Sequence, residues 1–353
     1  GAGAAELALP AAAVFVAPAA FAGAALFAAP LLQAASKAMA ERAAGIVIFF
    51  IQSFLQLAAI CGRRGPCAQT CGGASGTVTR RLARSGARRY PVRVKIVSYN
   101  LNGIRARLER LLEYLGEQQP DVVCCQELKS AEENLPRKEI EAAGYGALWH
   151  GQKGFNGVAI LARGVEPVER RIGLPGDPED VQSRYVEAEV NGVVVASIYL
   201  PNGNPVGTEK FAYKLAWLER LRLHAAGLLA EEIPVVLAGD YNVIPTNTTE
   251  DVFSVRAMAD DALMQPESQA AFRTLLYQGW TDAIRARHPD GPQYTFWDYQ
   301  AGAWRRDAGF RIDHLLLSPS AADRLLDAGV DKDYRGREKA SDHAPTWVTL
   351  ADL

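Results

Sequence analysis

The chain is poor in cysteine and lacks the common phosphate-binding loops. Its five cysteines among 353 residues are too few and too irregularly spaced to suggest a disulfide scaffold. Cys61, Cys67 and Cys71 have C-x5-C-x3-C spacing without a neighbouring histidine, which is not a usual zinc pattern. The motifs G-x-x-x-x-G-K and G-x-G-x-x-G do not occur. We therefore expect unpaired thiols in a reducing compartment, with Cys124 and Cys125 filling core volume inside an apolar run.

The chain also lacks the basic surplus that is typical of nucleic-acid-binding proteins. Its net charge is −2, and residues 1–92 carry nine Lys/Arg but two Asp/Glu, so the remainder has a net charge of −9. If this remainder binds DNA, a local basic patch must act against an acidic average. The residues that could form such a patch are Arg105, Arg107, Lys129, Lys153 and Arg184.

Residues 1–92 are dominated by Ala, Gly, Arg and Pro and contain two long uncharged stretches. The stretches between Glu6 and Lys37 and from Ala43 to Gly62 are each long enough to cross a bilayer, and the arginines that follow would keep the next domain in the cytoplasm. The composition instead favours translated upstream sequence or a disordered tail over a membrane anchor. A signal peptide is not indicated, because no short basic segment precedes the apolar run. We expect a native start at or near Val94 and a folded domain over residues 93–353.

From residue 93 onward the hydrophobic pattern predicts alternating strands and helices. Helices are predicted from about Arg107 to Gln118 and from about Phe211 to Glu232, and Asn191-Gly192 between two apolar runs predicts a hairpin. The predicted strands include V-K-I-V-S-Y-N, D-V-V-C-C-Q-E, N-G-V-A-I-L-A-R, P-V-V-L-A-G-D-Y-N, Y-T-F-W-D-Y, R-I-D-H-L-L-L-S and A-P-T-W-V-T-L. Because hairpins and crossovers both occur, the pattern favours an α/β fold with two mixed sheets packed face to face and helices outside.

Five short polar clusters lie mostly at the ends of predicted strands, spread over more than 240 residues. They contain Asn100, Glu127, Asp240 with Asn242, Asp313, and Asp342 with His343. If these strand ends face one cleft, oxygen ligands held there can bind a hard cation that neutralises a phosphate and polarises water. The clusters therefore predict metal-dependent hydrolysis of a phosphodiester.

Each cluster taken alone has a simpler structural explanation. Asp240 and Asn242 are two residues apart and would face the same way, but a capping Asp with a turn-forming Asn is common. Glu127 could pair with a nearby lysine instead of a metal. His343 could be a structural turn residue, or a buried Asp313 could orient it and stabilise its protonated form. The joint occurrence of the clusters favours the catalytic interpretation.

Taken together, these motifs make the chain from about Arg93 to Leu353 resemble bacterial exonuclease III, the apurinic/apyrimidinic (AP) endonuclease branch of the endonuclease/exonuclease/phosphatase superfamily. The matching stretches are N-L-N-G-I-R-A-R, P-D-V-V-C-C-Q-E-L-K, H-G-Q-K-G-F-N-G-V-A-I-L, Y-L-P-N-G, G-D-Y-N-V, T-F-W-D-Y, R-I-D-H-L-L-L-S and S-D-H-A-P. Sphingomyelinases and inositol phosphatases share G-D-x-N and S-D-H but not T-F-W-D-Y with R-I-D-H-L-L-L-S. The resemblance implies a four-layer αββα sandwich and does not extend to residues 1–92.

The resemblance also implies roles for individual residues. Mg²⁺, for which Mn²⁺ can substitute, would have Glu127 as its principal ligand, and Asn102 stands where some relatives have Asp. The implied metal-site residues are Asn100, Glu127, Asp240, Asn242, Asp342 and His343. The implied catalytic residues are Tyr199, Asp240, Asn242, Asp313 and His343. The pocket for a flipped-out abasic sugar would be formed by Asn202, Phe296, Phe310 and Ile312.

The implied reaction is hydrolysis of double-stranded DNA 5′ to an abasic site, with 3′→5′ exonuclease and 3′-phosphatase or phosphodiesterase activity at blocked 3′ ends. The implied setting is a monomer in the bacterial cytoplasm, at the nucleoid. Three alternatives remain open: a catalytically silent relative that binds nucleic acid or protein, a phosphodiesterase for RNA, lipid or small esters, and a membrane-tethered phosphodiesterase. Loss of polar site residues would indicate the first, and cell fractionation would test the third.

Overall fold

The computed structural model describes residues 93–351, and the hypotheses about residues 1–92 lie outside the described residues. Within this range the strands are β1 (Arg93–Asn100), β2 (Val122–Gln126), β3 (Tyr145–His150), β4 (Val158–Arg163), β5 (Val168–Ile172), β6 (Tyr185–Val190), β7 (Val193–Tyr199), β8 (Val235–Asp240), β9 (Thr281–Asp282), β10 (Asp313–Leu317), β11 (Leu325–Val330) and β12 (Thr346–Ala351). The helices are α1 (Ile104–Gln118), α2 (Arg137–Ala142), α3 (Glu209–Ala230), α4 (Pro266–Leu276), α5 (Ala283–Arg287) and α6 (Pro319–Ala322). None of these helices combines the length and the apolar character that a bilayer span requires.

The strands form two mixed sheets of six strands each. Their spatial orders are β11-β12-β1-β2-β4-β3 and β5-β6-β7-β8-β10-β9. In each sheet one pair is parallel, β1 with β2 and β7 with β8. A parallel pair needs a crossover connection, and α1 and α3 supply it. The carboxyl ends of the paired strands therefore lie at the same edge of each sheet.

The two sheets pack face to face, with helices on their outer faces. Ile96 and Ile160 from one sheet meet Val195 and Val236 from the other in a central core. A second core lies between the first sheet and α1, and a third lies between the second sheet and helices α3 and α4. The layer order helix, sheet, sheet, helix confirms the predicted αββα sandwich.

Several local predictions are confirmed. Asn191 and Gly192 have φ of 50° and 83°, the left-handed backbone that a tight hairpin between β6 and β7 requires. Cys124 and Cys125 are both 0% exposed and fill core volume as expected. The first helix begins at Ile104, earlier than the pattern indicated, but it ends at Gln118 as predicted.

The prediction of a strand in Y-T-F-W-D-Y is wrong. Phe296 forms isolated bridges to Phe310 and His343 rather than a continuous ladder, and the backbone nitrogen of Trp297 donates to Asp342 O at 2.9 Å. The segment is therefore an irregular connection. It is apolar because it packs beside the site, and that burial mimics the pattern of a strand.

A buried ion-pair network supports the loop that leads into β10. Arg311 and Asp251 are each 1% exposed, and Asp251 Oδ1 accepts from Arg311 Nε at 2.8 Å and from an Arg285 Nη at 2.7 Å. Arg311 also donates to Asp282 Oδ2 at 2.6 Å. Breaking a buried pair leaves an uncompensated charge, so this network fixes the position of Arg311 and of its chain neighbours.

We expect Asp251→Asn to destabilise the protein by about 3–5 kcal/mol, because it leaves part of the positive charge of Arg311 and Arg285 unpaired. Urea unfolding at neutral pH measures this loss. The exposed Asp323→Asn, which makes the same change at the surface, should leave the midpoint nearly unchanged. Equal midpoints for wild type and Asp251→Asn would contradict the prediction.

The same network predicts a dependence of stability on pH. Burial alone would raise the pKa of Asp251, but Arg311 and Arg285 outweigh it and hold the pKa at about 2. Since the folded pKa lies below the unfolded one, the stabilisation is complete above the ordinary carboxyl range and is lost as pH falls from about 4 towards 2. Asp251→Asn should lack this component when unfolding is measured across that range.

Candidate active site

The strand register brings three predicted site residues side by side in the second sheet. Asp240 ends β8, and its register partners are Tyr199 at the end of β7 and Asp313 at the start of β10. In the first sheet Asn100 ends β1, and Glu127 directly follows β2. Polar side chains at these ends meet because each apolar strand stops at the same edge. The predicted cleft of strand ends is therefore observed.

Close approach between strands shapes the G-D-Y-N segment. A Cβ at Gly239 would lie 2.1 Å from Ile198 O, so β7 and β8 can pair at this spacing because residue 239 is glycine. Asn242 and Glu127 have φ of 47° and 50°. Asn tolerates the left-handed region well, whereas Glu seldom adopts it, and residues held in such conformations cluster at functional sites.

Asn100 links the two carboxylates of the site. Its Nδ2 donates to Glu127 Oε1 at 3.0 Å and to Asp240 Oδ2 at 2.9 Å, while its Oδ1 accepts from the backbone nitrogen of Asn102 at 2.9 Å. The amide nitrogen, rather than the oxygen that a cation would need, therefore faces the carboxylates. The predicted role of Asn100 as a metal ligand stays a prediction.

Three ligand groups converge at the centre of the site. Glu127, Asp240 and His343 each offer one ligand atom, and these atoms lie within 4.8 Å of one another. The Glu127 side chain is 15% exposed and that of Asp240 is 1% exposed. Carboxylate oxygens are the ligands that hard divalent cations prefer, so the two carboxylates of this donor set could hold a metal ion.

A chain of polar contacts joins Glu127 to Asp342. Lys129 Nζ lies 2.6 Å from Glu127 Oε2 and donates to Asn102 Oδ1 at 2.6 Å. Asn102 Nδ2 in turn donates to Asp342 Oδ1 at 3.0 Å. The salt bridge that was an alternative to metal binding is thus present, and it belongs to the site itself. Asn102 here connects a lysine to a carboxylate.

His343 is fixed by one buried carboxylate and faces another. Its Nδ1 lies 2.8 Å from Asp313 Oδ2 and its Nε2 lies 3.8 Å from Asp240 Oδ2. Burial by itself lowers the pKa of His343, but the charges of Asp313 and Asp240 outweigh burial and raise the pKa to about 10. The imidazole is therefore positively charged at neutral pH, with Nε2 directed towards the centre of the site.

The surrounding groups have distinct protonation states. Burial raises the pKa of Asp240 to about 7, with Asp313 and Glu127 adding to the shift and His343 opposing it. Burial would also raise the pKa of Glu127, but Lys129 and the Asn100 hydrogen bond lower it overall. Burial, then the charges of Glu127 and Asp240, raise the pKa of Tyr199 well above its usual value. Tyr199 thus remains a donor, Glu127 remains anionic, and Asp240 can exchange a proton near neutral pH.

A cavity of about 310 Å³ opens beside these groups. Its apolar wall contains the predicted pocket residues Phe296, Phe310 and Ile312, and the Phe296 and Phe310 ring centroids are 4.6 Å apart. The Phe296 ring also lies edge-on to His343, at 5.0 Å. The residues that line the cavity are Glu127, Tyr199, Asn202, Asp240, Asn242, Met258, Asp261, Leu263, Phe296, Asp298, Phe310, Ile312, Asp342 and His343. The cavity therefore adjoins both the polar and the apolar residues predicted from sequence.

A wider depression of about 540 Å³ adjoins this cavity, and both are lined by Asn202. Its wall contains two basic residues, Arg184 and Lys210, together with the exposed Phe155. The Arg184 guanidinium lies 4.8 Å from the Tyr199 ring centroid. Of the five basic residues proposed for a patch, Lys129 and Arg184 lie beside the site, whereas Arg107 bonds Tyr299 at 2.9 Å.

Sequence reasoning missed part of the pocket wall. Met258, Asp261 and Leu263 line the cavity from the irregular segment between β8 and α4, where periodicity carries no signal. It also missed Lys214, which lies behind Asn202 and Asn242. The detectable signal for Lys214 was a charged residue at a position of α3 whose helical neighbours are apolar.

The chain is similar to several known proteins. The sequence profile of the endonuclease/exonuclease/phosphatase family matches residues 97–343. Exodeoxyribonuclease III of Haemophilus influenzae is 33% identical over 265 residues, which cover 72% of this chain and 99% of that protein.

Two solved structures share the fold at a TM-score of 0.70. One is an AP endonuclease from Archaeoglobus fulgidus, 35% identical, with 74% of this chain and 100% of that chain covered. The other is the 3′ phosphatase NExo from Neisseria bound to a product DNA hairpin, 34% identical, with 74% and 100% covered. These matches leave most of residues 1–92 outside the shared region.

Proposed function

Since the chain belongs to the endonuclease/exonuclease/phosphatase family, we propose that it is an exonuclease III-type DNA repair hydrolase that cuts 5′ to abasic sites. It also removes nucleotides in the 3′→5′ direction and clears phosphate or phosphodiester blocks from 3′ ends. The observation that carries this proposal is the convergence of Glu127, Asp240 and His343 within 4.8 Å, beside a pocket of about 310 Å³.

Glu127 and Asp240 would hold a Mg²⁺ ion. Asp342 would lie nearby, connected to Glu127 by the polar contacts of Asn102 and Lys129. The fit rests on the carboxylates of Glu127 and Asp240. Lys129 keeps Glu127 anionic, and the Asn100 amide donates hydrogen bonds to both carboxylates. When bound, such an ion neutralises phosphate charge and polarises a water molecule. Asn100, Asn242 and His343 would surround this ion, with the protonated imidazole facing the phosphate rather than binding the metal.

In the reaction, the phosphoryl group is transferred from the upstream 3′ oxygen to the oxygen of a water molecule. Asp240, whose carboxylate lies between Asn100 and His343 at the centre of the site, orients the water and accepts its proton as the general base. The phosphorus–O3′ bond breaks, Tyr199 donates a hydrogen bond to the phosphate or to the departing oxygen, and that oxygen takes a proton from solvent to become the 3′-hydroxyl. Asn242 holds a phosphate oxygen, and protonated His343, oriented by Asp313, stabilises the charge that develops. The products are a 3′-hydroxyl and a 5′-deoxyribose phosphate.

The apolar wall of the cavity explains the choice of an abasic sugar. Phe296, Phe310 and Ile312 offer a surface that a baseless deoxyribose can contact, and Asn202 also lines the cavity. Extruding an abasic nucleotide costs little stacking, whereas an intact nucleotide must unstack and then does not fit. The pocket therefore supports damaged double-stranded DNA as the substrate, over RNA, lipid or small esters.

A single chain supplies every residue of the proposed site, which supports action as a monomer. The wider depression with Arg184 and Lys210 would follow the DNA backbone, because local basic groups can bind phosphates despite an acidic average charge. We propose that the enzyme acts on chromosomal DNA and therefore works in the cytoplasm at the nucleoid. The domain of residues 93–353 would be the catalytic unit.

Incision of a duplex oligonucleotide with one central abasic analogue tests the proposal. We expect a cut 5′ to the analogue with Mg²⁺, no cut with excess chelator, and no internal cut at that position when the same duplex carries an intact base. A duplex with a 3′-phosphate should become extendable by a polymerase. Absence of all these activities with Mg²⁺ or Mn²⁺ present would contradict the proposed function.

We expect Glu127→Gln to weaken Mn²⁺ binding by about tenfold or more, because the charge count of the ligands sets affinity for hard cations. Electron paramagnetic resonance of free Mn²⁺ measures binding without relying on catalysis. The control is Glu132→Gln, the same change at an exposed residue away from the site, and it should bind Mn²⁺ as wild type does. Equal affinity in all three proteins would remove Glu127 from the metal site.

A further inference from the structure

A fully buried lysine interrupts the apolar face of α3. The buried residues of this helix are Lys214, Trp217, Leu218, Leu221, Ala225 and Leu228. Lys214 is 0% exposed, although lysine is almost never fully buried unless its charge is paired. Burying an amine is costly when its hydrogen bonds are unmade. The acceptors of Lys214 therefore indicate why the residue is placed there.

Lys214 donates to two carbonyl oxygens from separate loops. Its Nζ lies 3.0 Å from Asn202 O and 2.5 Å from Asn242 O. The side chains of these two asparagines line the catalytic cavity, and Asn202 Nδ2 donates to Asn242 Oδ1 at 3.1 Å. Lys214 thus ties together, from behind, the backbones of two residues whose amides face the substrate space.

The packing around Lys214 also explains the glycine of the P-N-G motif. A Cβ at Gly203 would lie 2.6 Å from Lys214 Cδ and 3.3 Å from the Ala262 Cβ, and Gly203 has φ of +91°. The loop that carries Asn202 therefore rests directly on the methylene stem of the lysine. Any side chain at residue 203 would push the loop and the lysine apart.

We propose that Lys214 is a positioning residue that holds Asn202 and Asn242 at the spacing needed to bind the scissile phosphate. This inference rests on the proposed function, because it assigns the two amides to phosphate binding. A displacement of about 1 Å in a positioned group can slow catalysis roughly 10²-fold, so two backbone anchors at this place have a large effect. Burial lowers the pKa of Lys214 to about 7, but the amine keeps N–H donors in both protonation states, so positioning does not depend on its charge.

The test compares Lys214→Met with Leu228→Ala. Lys214→Met keeps an unbranched, apolar stem and removes the donors, and we expect kcat for abasic-site incision to fall roughly 10–10²-fold, with a smaller change in KM. Leu228→Ala removes buried packing at the other end of α3 and should lower Tm without lowering kcat at a temperature where the protein is folded. Gly203→Ala displaces the same loop without altering the amine and should reproduce the fall in kcat. This variant therefore tests the inference if Lys214→Met does not fold.

A double-mutant cycle separates positioning from a general loss of structure. In an Asn242→Ala background, Lys214→Met should cause less than its single-mutant loss, because one of the two amides through which it acts is gone. Unchanged kcat in both folded variants, Lys214→Met and Gly203→Ala, or fully additive losses, would overturn the inference. Side-chain amide resonances of Asn202 and Asn242 should shift in Lys214→Met, and unshifted signals would overturn it too. That readout needs no activity, so failure of wild type to cut abasic DNA would count against the proposed function alone.

Discussion

Asp240→Asn is expected to lower the rate of abasic-site incision by about 10²–10⁴-fold, the usual cost of removing a positioned acid–base group. The carboxylate is 1% exposed, and it lies 2.9 Å from Asn100 Nδ2 and 3.8 Å from His343 Nε2. An amide in its place can still accept from the Asn242 backbone nitrogen, a contact that is 2.9 Å in the native protein. It can no longer accept a proton from water, so the chemical step is lost while the fold is kept.

Single-turnover incision with enzyme in excess measures this chemical step directly. The matched control is Asp298→Asn, which removes a negative charge from an exposed residue at the rim of the same cavity. That variant should cut at nearly the wild-type rate, because the Asp298 carboxylate accepts from the backbone nitrogen of Gln300 and is not one of the three converging groups. Wild-type incision by Asp240→Asn would remove the proposed base, whatever the control does.

The site could be predicted from sequence because its residues sit where apolar strands end. Asn100 and Asp240 each close a run of buried residues, so the end of the pattern marks the edge of a sheet. The register of neighbouring strands, however, cannot be read from the hydrophobic pattern. The pairing of Asp240 with Tyr199 and with Asp313 depends on how three strands separated by long segments align. Resemblance to a family, rather than periodicity, predicted that these residues share one site.

The pattern missed parts of the structure for three different physical reasons. β5 reads V-E-R-R-I and all five of its residues are exposed, so no alternation of burial marks it as a strand. The reverse error occurs in the segment around Phe296, where packing beside the site produces an apolar pattern without a ladder. Lys214 was missed for a third reason: its role depends on two carbonyl groups that no side-chain pattern can indicate.

His343→Ala is expected to lower incision by about 10²–10⁴-fold, because it removes the positive charge that faces the phosphate. Asp313 is 0% exposed and lies 2.8 Å from His343 Nδ1, and the pKa of His343 is raised to about 10 by Asp313 and Asp240 in spite of burial. A charge held in a buried, preorganised position stabilises a transition state more than a solvated one does. Alanine leaves Asp240 and Asp313 without this counter-charge, so the loss should appear in the chemical step even at saturating DNA.

His224→Ala provides the matched control for that loss. His224 lies outside the site, and its Nε2 is 2.8 Å from Glu187 Oε2, so the same substitution also separates a histidine from a buried carboxylate. Its effect should fall on stability, with incision by the folded protein close to wild type. Asp313→Asn should fall between the two, because the imidazole loses its orienting partner and part of its positive charge but remains present. A folded His343→Ala protein that cuts as fast as His224→Ala would show that the charge at residue 343 is not used in catalysis.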